Sequence, residues 1–129
     1  IEFSGTGHVT AEDLGNPPLP SRVLIKSRNS YRPVEAPFDE EFTAIDASAA
    51  QRLVDEGVRL IGVDYLSVAP FDQTDQATHH ILLKNCVLIV EGLRLGEVPA
   101  GDCEFVVLPL ALVGADGAPC RAMIALRGK

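Results

Sequence analysis

Asp46-Ala47-Ser48-Ala49-Ala50-Gln51-Arg52-Leu53-Val54-Asp55-Glu56-Gly57-Val58-Arg59-Leu60-Ile61-Gly62-Val63-Asp64 is the stretch that decides the fold. Asp46 can cap a helix by accepting from its free N–H groups. Ala50, Leu53 and Val54 fall on one helical face over residues 47–56. Gly57 suits the left-handed position that ends a helix. Residues 58–63 (Val-Arg-Leu-Ile-Gly-Val) then read as a buried strand. A helix, a glycine and a strand in that order form an α/β unit.

Working outward, residues 22–26 (Arg-Val-Leu-Ile-Lys) read as a strand. Residues 1–4 suggest a further short strand, and Thr10 can cap a short helix that Gly15-Asn16-Pro17-Pro18 stops. Residues 27–41 are polar, contain Pro33 and Pro37, and read as a long loop of a length often tied to function. Residues 64–75 form a second loop. A second helix is expected over 76–85 and a strand over 87–90. Residues 103–113 and 120–126 read as a hairpin turned at Asp116-Gly117, with Pro109 marking an edge or a bulge. No repeat or domain boundary is visible, so residues 1–129 are expected to form one α/β domain, a mixed sheet with few helices.

Composition narrows the function. The net charge is -7 and the pI about 4.8, with Lys and Arg scattered, which disfavours nucleic acid and anionic membranes as partners. No apolar run approaches the ~20 residues of a membrane span. Cys86, Cys103 and Cys120 are odd in number and widely spaced, so they are expected to be reduced core residues of a cytoplasmic protein. The chain opens on Ile1-Glu2-Phe3 without an initiator Met, and is expected not to be a complete gene product.

The three histidines are His8, His79 and His80. The adjacent pair sits at the start of the second helix, where successive side chains point ~100° apart, so one can face a pocket while the other faces solvent. Glu91 follows His79 by 12 residues, at the end of the strand over 87–90. A helix advances ~1.5 Å per residue and a strand ~3.3 Å, so a strand running back beside the helix can return Glu91 to the level of His79. Imidazole with carboxylate suits zinc or manganese, but a zinc site takes three or four protein ligands. The alternative is that His79, His80 and Glu91 are solvated surface residues. Asp64 and Ser67 follow a buried strand, where α/β sites often lie, and otherwise cap a turn through nearby backbone. Ser67 lacks His and Asp partners for a triad. Cys86 has no neighbour in sequence that would activate its thiol.

The ordered series Gly62-Val63-Asp64-Tyr65-Leu66-Ser67-Val68, His79 with Leu82-Leu83, Glu91, Leu108-Pro109-Leu110 and Asp116-Gly117-Ala118-Pro119-Cys120-Arg121-Ala122 resembles the C-terminal half of the cyclase family of metal-dependent hydrolases, which includes kynurenine formamidases and isatin hydrolases. Residues 10–14 and 22–26 resemble its preceding region. The resemblance implies a swivelling β/β/α fold, a two-metal centre of zinc or manganese, and hydrolysis of small N-formyl or cyclic amides. It implies His79 as a ligand of one metal and Glu91 as a ligand or bridge. It assigns no catalytic residue, and His80 does not match a ligand position. The family's His-x-Gly-Thr-His-x-Asp-x-Pro-x-His motif does not occur in these residues, and Ser4-Gly5-Thr6-Gly7-His8 is not followed by its remainder. The chain alone is therefore expected to bind metal weakly and to be inactive. Family members are usually oligomers, so a homo-oligomer is expected. The rival reading is a non-catalytic binding or assembly domain that keeps the fold without the metal site.

Overall fold

The computed structural model describes residues 1–74 and 76–126, which fall into two compact units, Ile1–Pro99 and Ala100–Lys129. The expected α/β class is what the structure shows, with parallel pairing in one sheet and antiparallel pairing in another.

The first unit is built on a parallel three-stranded sheet of β1 (Arg22–Ile25), β2 (Leu60–Val63) and β3 (Leu88–Val90), in that order. Gly62 pairs with Leu24 on one side and Val90 on the other. Every residue of β2 is buried, which explains its unbroken apolar run. A Cβ at Gly62 would come within 2.5 Å of Leu24 Cδ2 and 2.7 Å of Leu93 Cδ1, so only glycine lets those leucines close over the central strand. The expected strand at residues 1–4 is reduced to one bridge, Glu2 to Lys26, flanked by bonds from the Phe3 N–H to the Lys26 carbonyl and from the Lys26 N–H to the Ile1 carbonyl.

Helices α1 (Ala47–Asp55) and α2 (Ala77–Lys84) precede β2 and β3 and pack on each other. Asp46 Oδ1 accepts from the Ala49 N–H at 2.9 Å and caps α1, as its side chain allows. Both helices stop by the same device. Gly57 N–H donates to Val54 and Val58 N–H to Leu53; Cys86 N–H donates to Leu83 and Val87 N–H to Leu82. These paired bonds satisfy the last carbonyls and turn the chain straight into a strand. The device needs a left-handed residue, supplied by Gly57 at φ 75° and, unusually, by Cys86 at φ 57°. Leu53, Val58, Leu82 and Val87 then enter one core with Val23, Ile25, Ile61 and Val63.

In the second unit β4 (Cys103–Pro109) pairs antiparallel with β5 (Cys120–Leu126), from Cys103 opposite Leu126 to Pro109 opposite Cys120. The first strand ends at Pro109 and not at residue 113: the Leu110 N–H still donates to the Pro119 carbonyl at 3.0 Å, but Pro119 has no N–H to return the bond. The cysteines are free, but Cys86 and Cys120 are exposed rather than in a core, which corrects the expectation from their type. Cys86 is placed outward by its position on the turn after α2. Among the described residues no helix is long and apolar enough to cross a membrane.

Candidate metal half-site

In parallel sheets, sites gather beyond the carboxyl ends of the strands. Asp64 follows β2 there, and Glu91 follows β3. Residues 64–74 of the loop after β2 pass over these ends. Gly92 N–H donates to the Tyr65 carbonyl at 2.7 Å, and Val68 N–H donates to Glu91 Oε1 at 2.8 Å. The Glu91 carboxylate is thereby held although its side chain is 36% exposed.

His79 lies in the first turn of α2, with its side chain 28% exposed, while His80 faces solvent. The buried Thr78 hydroxyl fixes this turn by donating to the Ile45 carbonyl at 3.0 Å, and the Ile45 N–H donates to the Val68 carbonyl at 2.9 Å. Ile45 thus ties the helix that carries His79 to the loop segment that holds Glu91. His79 Nε2 comes to 3.6 Å from Glu91 Oε1. That is long for a hydrogen bond. It suits an ion pair if the imidazole is protonated. It also suits two ligands of one ion, since donors ~2.1 Å from a tetrahedral zinc sit ~3.4 Å apart.

The donor set, one imidazole and one carboxylate, fits zinc or manganese as half of a site. Among the described residues no group of three or more His, Cys, Asp or Glu comes together. His79 Nδ1 is buried and has no hydrogen-bond partner among them, whereas a ligating histidine usually donates from its second nitrogen. Asp75, at the end of the expected loop, lies outside the described residues. His8 stands apart, its Nδ1 accepting from the Ala44 N–H at 3.2 Å.

Asp64 overturns the expectation of a local turn cap. It is buried, and its carboxylate accepts from the N–H and hydroxyl of Ser27, the Asn29 amide, and the N–H and hydroxyl of Ser30, 34 to 37 residues away. Residues Arg28–Tyr31, expected as loop, form a 3-10 turn organised on that carboxylate. Asn29, also buried, bonds both backbone groups of Thr43 and carries the order into the following segment. Ser67 does engage local backbone, at Ala69.

A ring cluster from the segment before α1 and the loop after β2 has no signal in periodicity. Phe42 stacks on Tyr65 at 4.4 Å, and Phe38 stands 5.5 to 6.0 Å from Phe42, Tyr65 and Phe71. At the opposite, amino end of β2 and β3, a cleft of about 290 Å³ is lined by Val54, Val58, Arg59, Asn85, Cys86 and Val87.

No family model matches the chain. It is 42% identical over 103 residues to a kynurenine formamidase of Bacillus cereus, covering 80% of this chain and 48% of that protein. It is 37% identical over 106 residues to one of Delftia acidovorans, covering 82% and 49%, and 37% identical over 124 residues to one of Bacillus mycoides, covering 96% and 59%. The chain spans about half the length of the curated relatives it matches. A solved structure described as a potential metal-dependent hydrolase with cyclase activity superposes with a TM-score of 0.84 at 35% identity, covering 95% of this chain and 62% of that one. A predicted metal-dependent hydrolase from Bacillus stearothermophilus gives 0.83 at 35% identity, covering 95% and 60%.

Proposed function

We propose, from the premise that this chain is homologous to cyclase-family metal-dependent hydrolases of the kynurenine formamidase kind, that it forms the part of an amide hydrolase that contributes His79 and Glu91 to a divalent-metal site. The substrate is a small N-formyl or cyclic amide, and the attacking group is water. The observation that carries the reading is the 3.6 Å approach of His79 Nε2 to Glu91 Oε1, held from both sides through Ile45 and Val68.

When bound, zinc or manganese supplies Lewis acidity, lowering the pKa of a water and balancing charge that develops on the amide oxygen. The chain's own contribution is positional. The Val68 N–H takes one lone pair of Glu91 Oε1 and so fixes which way the carboxylate faces. Thr78 locks the turn beneath His79. The remaining ligands fall to residues beyond these. A cytoplasmic homo-oligomer is part of the same proposal.

The test uses protein made from the complete reading frame that contains this chain. It should hydrolyse N-formylkynurenine with zinc or manganese, lose activity on chelation, and drop at least about 100-fold in kcat/KM with His79→Ala or Glu91→Ala. The rival reading, a binding or assembly domain, requires no hydrolysis in wild type or variants.

A further inference from the structure

Asp64 sits between the two residues that hold the chain just after Glu91. The carbonyls on either side of it, those of Val63 and Tyr65, accept the N–H groups of Leu93 at 3.1 Å and Gly92 at 2.7 Å. Its carboxylate faces the turn after β1. There Ser27 and Ser30 each donate to it from the N–H and from the hydroxyl. Asp64 therefore holds residues 27–30 with its side chain, while its flanking backbone holds the segment that begins at Glu91.

The two serines, both buried, differ in what their hydroxyl oxygens accept. Ser27 Oγ accepts from the Asn29 N–H at 3.2 Å, inside its own turn. Ser30 Oγ accepts from the Leu95 N–H at 3.1 Å, 65 residues away. Ser30 is thus a bridge between Asp64 and the segment after β3. That segment leaves β3 at Glu91 and is bonded to Tyr65 at Gly92, to Val63 at Leu93 and to Ser30 at Leu95. Leu93 and Leu95 are also buried, so the segment is packed as well as bonded. Hydrogen bonds to a buried carboxylate are among the strong ones, and a network of them moves as a unit.

We propose that Asp64 and Ser30 are positioning residues for Glu91, fixing the chain on which its metal-facing carboxylate is carried. The effect on metal rests on the half-site reading above, whereas the coupling itself rests on the bonds. A ligand binds without reordering only when the groups behind it are held, and loss of such support costs about 10- to 100-fold in metal affinity.

Ser27→Ala and Ser30→Ala, in protein from the complete reading frame, form a matched pair. Each removes one buried hydroxyl that donates to Asp64 and accepts one N–H. Only Ser30→Ala cuts the link to the Glu91 segment. In metal-free Ser30→Ala the Val68 and Gly92 N–H groups should exchange hydrogen about tenfold faster than in wild type, and zinc should bind about tenfold more weakly by calorimetry. In Ser27→Ala both should stay within about twofold of wild type. Ser30→Cys, which keeps a weak donor and acceptor, should fall between, and is read in place of Ser30→Ala if that variant does not fold. Equal changes in the two alanine variants, or unchanged exchange at Val68 in Ser30→Ala, would overturn the proposal. Zinc bound equally by wild type and Ser30→Ala would overturn it and leave the half-site reading intact. If wild type binds no zinc while Ser30→Ala alone loosens the Val68 N–H, the half-site reading fails and the positioning of Glu91 stands.

Discussion

Glu91 Oε1 accepts the backbone N–H of Val68 at 2.8 Å, across 23 residues of chain. The same oxygen faces His79 Nε2. Glu91 therefore has two separable roles, an acceptor that closes a loop and a negative charge beside an imidazole. Glu91→Gln can keep the acceptor and removes the charge. It should leave urea unfolding within about 0.5 kcal/mol of wild type and weaken zinc binding. Glu91→Ala should weaken zinc equally and also cost about 1 kcal/mol for the unpaired N–H. Equal stability losses for the two variants would argue that the loop depends on the charge.

Asp64 should be the costlier carboxylate for folding. Asp64→Ala strands the donors of Ser27, Asn29 and Ser30 in a buried place and should cost about 3–5 kcal/mol. Asp64→Asn keeps the shape, but both oxygens of Asp64 now accept, so an amide nitrogen would meet donors. It should still cost about 2 kcal/mol or more. Denaturant titration checks both, and a near-neutral Asp64→Asn would contradict the assignment.

Cys86 occupies a left-handed position that glycine fills in the matching turn after α1. Cys86→Gly should raise stability by about 1 kcal/mol, and Gly57→Ala should lower it by about as much, both read as shifts in unfolding midpoint.

Two carboxyls set part of the acid limb. Hydrogen bonds from the Arg52 side chain and the Leu19 N–H hold Glu56 below its ordinary value of 4.5. The Thr10 N–H and hydroxyl hold Asp13 below 3.8. A pKa lowered by folding means the unfolded chain binds protons first as pH falls. The stability is therefore present above the ordinary carboxyl range and is lost as pH drops through the lowered values. Unfolding free energy should fall less steeply below about pH 5 in a Glu56→Gln, Asp13→Asn variant than in wild type.

The local signals in the chain were the legible ones. Asp46, the Ala50-Leu53-Val54 face and Gly57 predict α1 to within a residue of Ala47–Asp55, because a cap, a face and a terminator all lie within 12 residues. The hairpin is legible from apolar strands about a turn. His79 and Glu91 could be brought to one level from rise per residue alone, and the structure places them 3.6 Å apart. Long-range organisation was not legible. Nothing near Asp64 in sequence names Ser27, Asn29 or Ser30 as its donors. The Phe38, Phe42, Tyr65 and Phe71 rings come from two loops without periodicity, so only the folded chain collects them. Cys86 is exposed although its residue type favours burial, because its position on the turn two places after the last residue of α2 decides.

The measurement closest to the central claim is the zinc affinity of protein from the complete reading frame, by calorimetry, for wild type, His79→Ala, Glu91→Ala and the double variant. Shared ligation predicts that each single change weakens zinc by about 100-fold or more, and that the double loss is smaller than the product of the two. Zinc or manganese bound as tightly by the double variant as by wild type would contradict it.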